Sequence, residues 1–323
     1  MNSVATVARP AVVTGCTGEI GNALAGLLLE RGVEVYALCR PRSWRLQFLP
    51  SSPRLHFVER DIFSLDGVEE AIGKPCGAFF HLGWHASYGP ERTNPRGQVR
   101  NVSAALDAVA LAMRLGCSVF VGAGSLSQYG SVEETIAPET PMQPVTAYGV
   151  AKLCAEQMTR LLAADFGLRH VWGRVLSVYG PCDGPFTLIS SLMRARLRGE
   201  ELPITPCGQL WDFLYARDAA RAFLAMAERG GNGKAYCVAS GACRPLREFV
   251  ADFAALPGGT VKIRFGGMPY AQNQRMRLQG DISALAADTG FAPATPFAEG
   301  IARTWRWYQE HPEAAALPEG DAT

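Results

Sequence analysis

Ala11-Val12-Val13-Thr14-Gly15-Cys16-Thr17-Gly18-Glu19-Ile20-Gly21 is the stretch that decides the fold. Its first four residues read as a short buried strand, and its glycines fall at i, i+3 and i+6. Gly15 permits a tight turn straight after the strand, Gly18 lets the backbone approach a pyrophosphate, and Gly21 lets the following helix pack closely. An ordinary glycine-rich turn is the bland alternative. What favours a dinucleotide site is the setting: a predicted strand before, a predicted helix after, near the start of the chain. That helix start would offer free N–H groups and a positive dipole end to the phosphates.

Outward from the turn, strands and helices alternate. Ala23 to Arg31 reads as an amphipathic helix ended by Gly32, and Val33 to Cys39 as the second strand. Leu55 to Val58, Gly77 to Leu82, Ser118 to Val121 and His170 to Ser177 read as further strands. Long helices are predicted over Val99–Leu115 and from the cap Thr146 to about Phe166. Alternation of this kind implies right-handed crossovers and an α/β fold, a doubly wound parallel sheet with helices on both faces. After Tyr179-Gly180-Pro181 the rhythm weakens, although Asp218–Glu228 still reads as helix and Ala235–Val238 as strand. The expected division is a dinucleotide-binding domain over 10–180 and 214–240, a smaller C-terminal substrate lobe over 181–213 and 241–310, and tails at 1–9 and 312–323.

Composition narrows the partners. Of 323 residues 48% are hydrophobic and 19% charged, which suits a packed core rather than disorder. Lys and Arg total 31 against 30 Asp and Glu, so there is no bulk electrostatic reason to bind nucleic acid or an anionic membrane. Nine cysteines without a C-x-x-C pair argue against a zinc site or a disulfide framework, and a cytoplasmic location is expected. Met1 to Arg9 shows no signal-peptide pattern. The uncharged run Leu115–Val132 is interrupted by Gly, Ser and Gln, so a buried strand and loop explain it better than a membrane span. His81 and His85 have metal-ligand spacing for a helix, but they fall at a strand end, and no metal is expected.

Two further constellations carry chemistry. Tyr148-Gly149-Val150-Ala151-Lys152 places a phenol and an ammonium at i and i+4 on one helix face, where the cation would lower the phenol's pKa. Upstream, Gly122-Ala123-Gly124-Ser125-Leu126-Ser127-Gln128-Tyr129-Gly130 lies just beyond a strand, where parallel sheets bind ligands. A hydroxyl there could hydrogen-bond a substrate carbonyl. Arg40 follows the second strand, where an acid would bind the ribose of NAD; an Arg accommodates a 2′-phosphate, so NADP(H) is favoured and NAD is the alternative.

Together with Asn101-Val102, Arg174-Val175-Leu176-Ser177-Val178-Tyr179-Gly180-Pro181 and Trp211-Asp212-Phe213, these motifs make the chain resemble an extended short-chain dehydrogenase/reductase of the NAD-dependent epimerase/dehydratase superfamily, over about residues 10–310. The resemblance implies a Rossmann-type fold and a nucleotide-sugar substrate. It makes Tyr148 the proton donor or acceptor, with Lys152 lowering its pKa and holding the nicotinamide ribose. Ser125 would orient the carbonyl, with Ser127 as competitor, and Asn101 would support the helix or a relay water. Cofactor contacts are expected from Gly15, Thr17, Gly18, Glu19, Ile20, Gly21, Arg40, Ser43, Asp61, Ile62, Leu82, Gly83, Tyr148 and Lys152. Substrate contacts are expected from Trp84, His85, Ser87, Ser127, Trp211 and Arg275; Trp84 and Trp211 could equally be core packing.

Two departures concern the substrate. Trp211 stands where many relatives of this type carry a diphosphate-binding Arg. A second family Arg upstream of Asp281 has only the offset Arg275 and Arg277 nearby. Either those two take over, or the substrate is not a usual UDP-type sugar. The expected activity is NADP(H)-dependent reduction of a 4-keto group on an activated deoxysugar. The alternative is a 4-epimerase or dehydratase with tightly held NAD, and a non-catalytic dinucleotide-binding protein is the third reading. A homodimer is expected from the resemblance, through helices around 99–115 and 147–165; Ala104, Ala105, Ala108, Leu111 and Ala112 could form its apolar stripe, with burial inside the monomer as the bland alternative.

Overall fold

The computed structural model describes residues 9–315. Seven parallel strands form the central sheet: β1 (Ala11–Thr14), β2 (Val35–Cys39), β3 (Leu55–Glu59), β4 (Ala78–His81), β5 (Val119–Ser125), β6 (Arg169–Val175) and β11 (Ala235–Val238). Their order is β11-β6-β5-β4-β1-β2-β3, so strand order reverses between β1 and β4. Ligands of open α/β sheets bind in the crevice beyond the strand ends at such a reversal.

Side chains alternate across each strand and build two cores. Val13, Ala37, Phe80 and Val121 point to one face, under α1 (Glu19–Glu30) and α6 (Ala216–Arg229). Val12, Leu38, Phe79 and Phe120 point to the other, under α2 (Val68–Ile72), α3 (Pro95–Arg114) and α4 (Ala147–Asp165). Ala104, Ala105, Ala108, Leu111 and Ala112 are all buried inside the chain. Of the two readings of this apolar stripe, burial inside the chain is the one observed, and Ala105, Ala108, Leu111 and Ala112 belong to the core on this face of the sheet. What α3 and α4 expose are Val99, Met113, Val150, Met158 and Leu161.

Beyond β6 the chain forms β7 (Val178–Tyr179), α5 (Leu188–Arg198), β8 (Glu201–Ile204), β9 (Leu210–Trp211) and β10 (Leu214–Tyr215). After β11 come β12 (Arg244–Pro245), α7 (Leu246–Ala254), β13 (Lys262–Phe265), α8 (Ser283–Thr289) and α9 (Phe297–Glu310). A third core joins Leu192, Phe253, Ile301 and Trp305 from α5, α7 and α9. Leu285 of α8 and Phe291 pack with the α1 and α6 face of the sheet. Most of both expected tails lies outside the described residues; Pro312–Ala315 is a 3₁₀ turn with Ala315 buried.

Candidate active site

The glycine turn behaves as its spacing requires. Gly15 has φ +71, and a Cβ there would stand 2.6 Å from the Gly83 nitrogen at the end of β4. A Cβ on Gly21 would stand 2.2 Å from the Gly15 carbonyl oxygen. Gly18 is the N-cap of α1, yet no side chain caps that helix. The first amides are thus left to a ligand, the arrangement that receives phosphates. Ile62, just beyond β3, closes on Gly83, and Gly83 donates its N–H to Thr14 Oγ1 at 3.0 Å. Leu82 precedes it, half-buried. Cys16 and Cys39 bring their sulfurs within 2.9 Å and tie the turn to the end of β2.

Other expected cofactor residues are looser. Thr17 and Ser43 are half-buried, Arg40 is exposed beyond β2, and Asp61 Oδ1 accepts from the Phe63 N–H at 3.0 Å. Glu19 carries a carboxyl whose Oε1 is buried without a partner. Burial and then neighbouring Asp183 push its pKa well above the usual range, and Arg45 opposes them. A dinucleotide fits this cradle on its open amides, and the raised pKa of Glu19 works against a negative charge beside the phosphates.

Thr146 caps α4 by accepting from the Gly149 N–H at 3.1 Å, which fixes Tyr148 in the first turn. Lys152 sits on the same face and donates to the Ala123 carbonyl at 2.7 Å. Its Nζ lies 3.8 Å above the Trp84 ring and 5.9 Å from the centroid of Tyr148. Burial brings its pKa down to about 7. Burial also raises the Tyr148 phenol, and what counteracts this is a hydrogen bond from Ser125 and then the charge of Arg92, not Lys152. Ser125 and Arg92 thus join Lys152 around the Tyr148 phenol. The Arg92 guanidinium stands 4.5 Å over the Tyr148 ring, and its Nη2 donates to Ser127 Oγ at 2.9 Å.

Ser125 ends β5 rather than standing in a loop beyond it, because β5 continues through Gly122-Ala123-Gly124, paired with β6. Gln128 Oε1 accepts from the Ser125 N–H at 2.9 Å, and Gln128 Nε2 donates to Glu156 Oε2 at 2.6 Å. Glu156 is in turn paired with Arg174, whose Nη2 lies 2.5 Å from Oε1 in a buried salt bridge. The sequence reading missed Arg92, Gln128 and Glu156 as site residues. Glu156 had a signal: it stands eight residues after Tyr148 and four after Lys152, on the same buried helix face. Arg92 had none, since it lies in a short 3₁₀ turn, Pro90–Thr93.

Asn101 holds the loop after β4. Its Oδ1 accepts from the His85 N–H at 2.8 Å, and its Nδ2 donates to the His85 carbonyl at 3.0 Å. Trp84 meets the Tyr148 ring edge-on at 6.1 Å and donates to Gln98 Oε1. The His85 ring packs on Phe63, and Ser87 is exposed. His81 is buried, held below its usual pKa at about 3, and bonded to Thr14 Oγ1. Among the described residues no group of three His, Cys, Asp or Glu is placed to hold a metal.

Trp211 and Arg275 lie elsewhere. Trp211 donates to Ser177 Oγ at 3.0 Å and lines a cavity of about 510 Å³ together with Phe186, Ile204, Gln209 and Phe213. That lining contains no Lys or Arg, and none of Ser125, Tyr148 or Trp84. Arg275 donates Nη1 to the Val132 carbonyl at 2.6 Å and Nη2 to the Gly130 carbonyl. It staples the loop after Ser127.

A parallel sheet with an open glycine cradle beside a Ser-Tyr-Lys cluster is the arrangement of the extended short-chain dehydrogenase/reductase class. The pattern of the NAD dependent epimerase/dehydratase family matches residues 11–239, and the chain belongs to that family. It is 26% identical over 315 residues to a dTDP-glucose 4,6-dehydratase of Streptomyces griseus, covering 93% of this chain and 94% of that one. The structure of MoeE5 in complex with UDP-glucuronic acid and NAD superposes with a TM-score of 0.81 at 29% identity, covering 94% of this chain and 99% of that one. The epimerase Mth375 of Methanothermobacter thermautotrophicus shares the fold, with a TM-score of 0.85 at 23% identity and coverage of 95% and 94%. Among the described residues no helix is long and apolar enough to cross a membrane.

Proposed function

We propose that this protein is an NAD-dependent nucleotide-sugar 4-epimerase, in which one sugar carbinol is oxidised and re-reduced on a retained cofactor. The cofactor supplies the hydride acceptor and donor. Tyr148 takes the hydroxyl proton during oxidation and returns it during reduction, and Ser125 holds the reacting oxygen. Lys152 is positioned to bind the nicotinamide ribose when a cofactor is present. The observation that carries the reading is the convergence of Ser125 at the end of β5 with Tyr148 and Lys152 of α4, one strand from the sheet's reversal point. MoeE5, solved with NAD and a UDP-sugar, supports NAD and a sugar nucleotide over the 4-keto-reduction reading. Elimination of water from the sugar would need a free acid beside Ser125. Leu126 and Ser127 provide none, and Glu156 is committed to Arg174 and Gln128.

One observation favours reduction with NADPH as a second reading: Arg40 is exposed at the end of β2, available to a 2′-phosphate. Nucleotide released from the purified, denatured protein separates the two. Bound NAD, with exchange of C4 configuration in UDP- or dTDP-hexoses without added cofactor, supports the epimerase. An empty protein that oxidises added NADPH stoichiometrically with a 4-keto sugar overturns it. Pairing of two copies through the exposed Met158 and Leu161 of α4 completes the proposal. A monomer in sedimentation at micromolar concentration would contradict it.

A further inference from the structure

We propose that Arg45 is the latch that keeps the dinucleotide in its cradle, by tying the segment after β2 to the turn after β7. Three observations carry this. Arg45 Nη2 donates to the Cys182 carbonyl at 2.9 Å and to the Asp183 carbonyl at 2.8 Å, 137 and 138 positions further along the chain. The link stands beside the open amides of α1. Glu19, the first residue of that helix, has its pKa raised by burial and then by Asp183, and the charge of Arg45 opposes them. Both ends of the link carry a non-glycine residue at positive φ, Arg42 at 60° on one side and Cys182 at 61° on the other. Strained backbone of this kind collects at ligand clamps.

The two ends are held differently. The giving end is a 3₁₀ turn, Trp44–Phe48. Asn22 Nδ2 of α1 donates to the Phe48 carbonyl at 2.8 Å, and the Phe48 ring meets Trp307 of α9 edge-on at 5.2 Å. The receiving turn is fixed from within: the Asp183 carboxyl accepts from the Gly184 N–H at 2.5 Å and from the hydroxyl of Thr187, the cap of α5. That carboxyl is used inside its own turn, and Arg45 takes the backbone carbonyls. Hydrogen bonds from a charged donor to neutral carbonyls are strong enough to hold two segments together. They also break without stranding a buried carboxylate, so such a link can open. The glycine turn gives a dinucleotide its phosphate contacts; Arg45 adds the cross-tie to the C-terminal lobe that the turn itself lacks. Arg45 is therefore a positioning residue, acting on retention of the cofactor rather than on the reacting carbon.

The proposal rests on the reading that the cofactor is retained through the reaction. It is tested on the full-length protein without a sugar, so it can fail separately from the epimerase assignment. NADH and, in parallel, NADPH are bound to protein stripped of nucleotide, and release is followed by fluorescence after a chase with excess oxidised nucleotide. Arg45→Met should release the bound nucleotide about 10- to 100-fold faster, the worth of the charge-assisted hydrogen bonds lost, with entry no slower than in wild type. Arg45→Lys, which keeps a charge and a donor, should fall between the two. Faster escape with unslowed entry marks a latch. Slower entry in Arg45→Met would make the residue an attractor of phosphate instead and would overturn the proposal. Hydrogen exchange of the wild-type protein serves if Arg45→Met does not fold: bound nucleotide should slow residues 43–48 and 182–187 together. The proposal is also overturned by unchanged release from Arg45→Met, by exchange that stays unchanged in either segment, or by a wild-type protein that holds neither nucleotide.

Discussion

Helices α1 and α4 both follow the sheet's strands and both begin beside the site, but their first turns are finished differently. Thr146 closes the start of α4 with its own hydroxyl. At the start of α1 the capping position is Gly18, and no side chain is supplied. Asn94 and Thr187 cap α3 and α5 in the same way as Thr146. Among these four helices α1 is the exception, and the difference has a physical sense. Where the amides are to meet phosphates, a resident cap would compete with them; where a helix must hold a reacting phenol still, the cap removes fraying.

Removing the phenol that α4 holds should have the largest effect. Tyr148→Phe keeps the ring against Trp84 and Arg92 but loses the proton, so turnover should fall by about 10²–10⁴-fold with cofactor retention nearly unchanged. Single-turnover spectroscopy of the bound cofactor measures this, and near wild-type rates would remove Tyr148 from the proton path. Next comes the open start of α1. Gly21→Ala drives a Cβ into the Gly15 carbonyl, so the purified protein should lose most of its bound dinucleotide. Full retention would mean that the cradle is elsewhere.

The capped start is probed by Thr146→Ala, expected to cost about 0.5–2 kcal/mol in urea unfolding. A similar loss of turnover at constant cofactor binding would show that the cap also steadies Tyr148.

The carboxyl at the open start supplies a pH test. Glu19 has a raised pKa in the folded chain, because burial and Asp183 disfavour its charge. Its stabilising share is therefore complete below the ordinary carboxyl range and is lost as pH rises through the folded value. Glu19→Gln should flatten the decline in melting temperature over that window, and an unchanged slope would contradict the assigned burial.

The smallest effect is the most pointed. Gly18→Ser gives α1 the cap it lacks at an extended backbone position, φ −83, where serine is tolerated. The cofactor-free protein should gain only a few tenths of a kcal/mol, while dinucleotide affinity falls. A rise in both would show that the cap and the cofactor do not compete.

Much of the scaffold was legible because it depends on neighbours along the chain. Ala235–Val238 is strand as expected, and Thr146 caps the helix that it was expected to cap. Boundaries failed where apolar periodicity was followed and caps were not. Helix α3 starts at Pro95, four residues before Val99, because Asn94-Pro95 is itself a cap followed by a first-turn proline. Helix α1 starts at Glu19, not Ala23, because its first turn is also the end of the glycine turn. The glycines of β5 were read as loop, yet they form strand with Trp172 of β6 lying against Gly122 and Gly124.

By itself, then, the sequence determined the parallel sheet, the phosphate-type turn at Gly15–Gly21 and the helical pairing of Tyr148 with Lys152, because each follows from backbone geometry over a few residues. Only the tertiary structure decided how those groups are used. It drew Lys152 toward Ala123 and Trp84, brought Arg92 over the phenol from 56 positions away in sequence, spent Arg275 on the loop carbonyls of Gly130 and Val132, and turned the alanines of α3 inward. The physical reason is that charge, burial and hydrogen-bond partners at a site are set by which distant surfaces meet when the sheet and its helices pack, and no local spacing encodes that meeting.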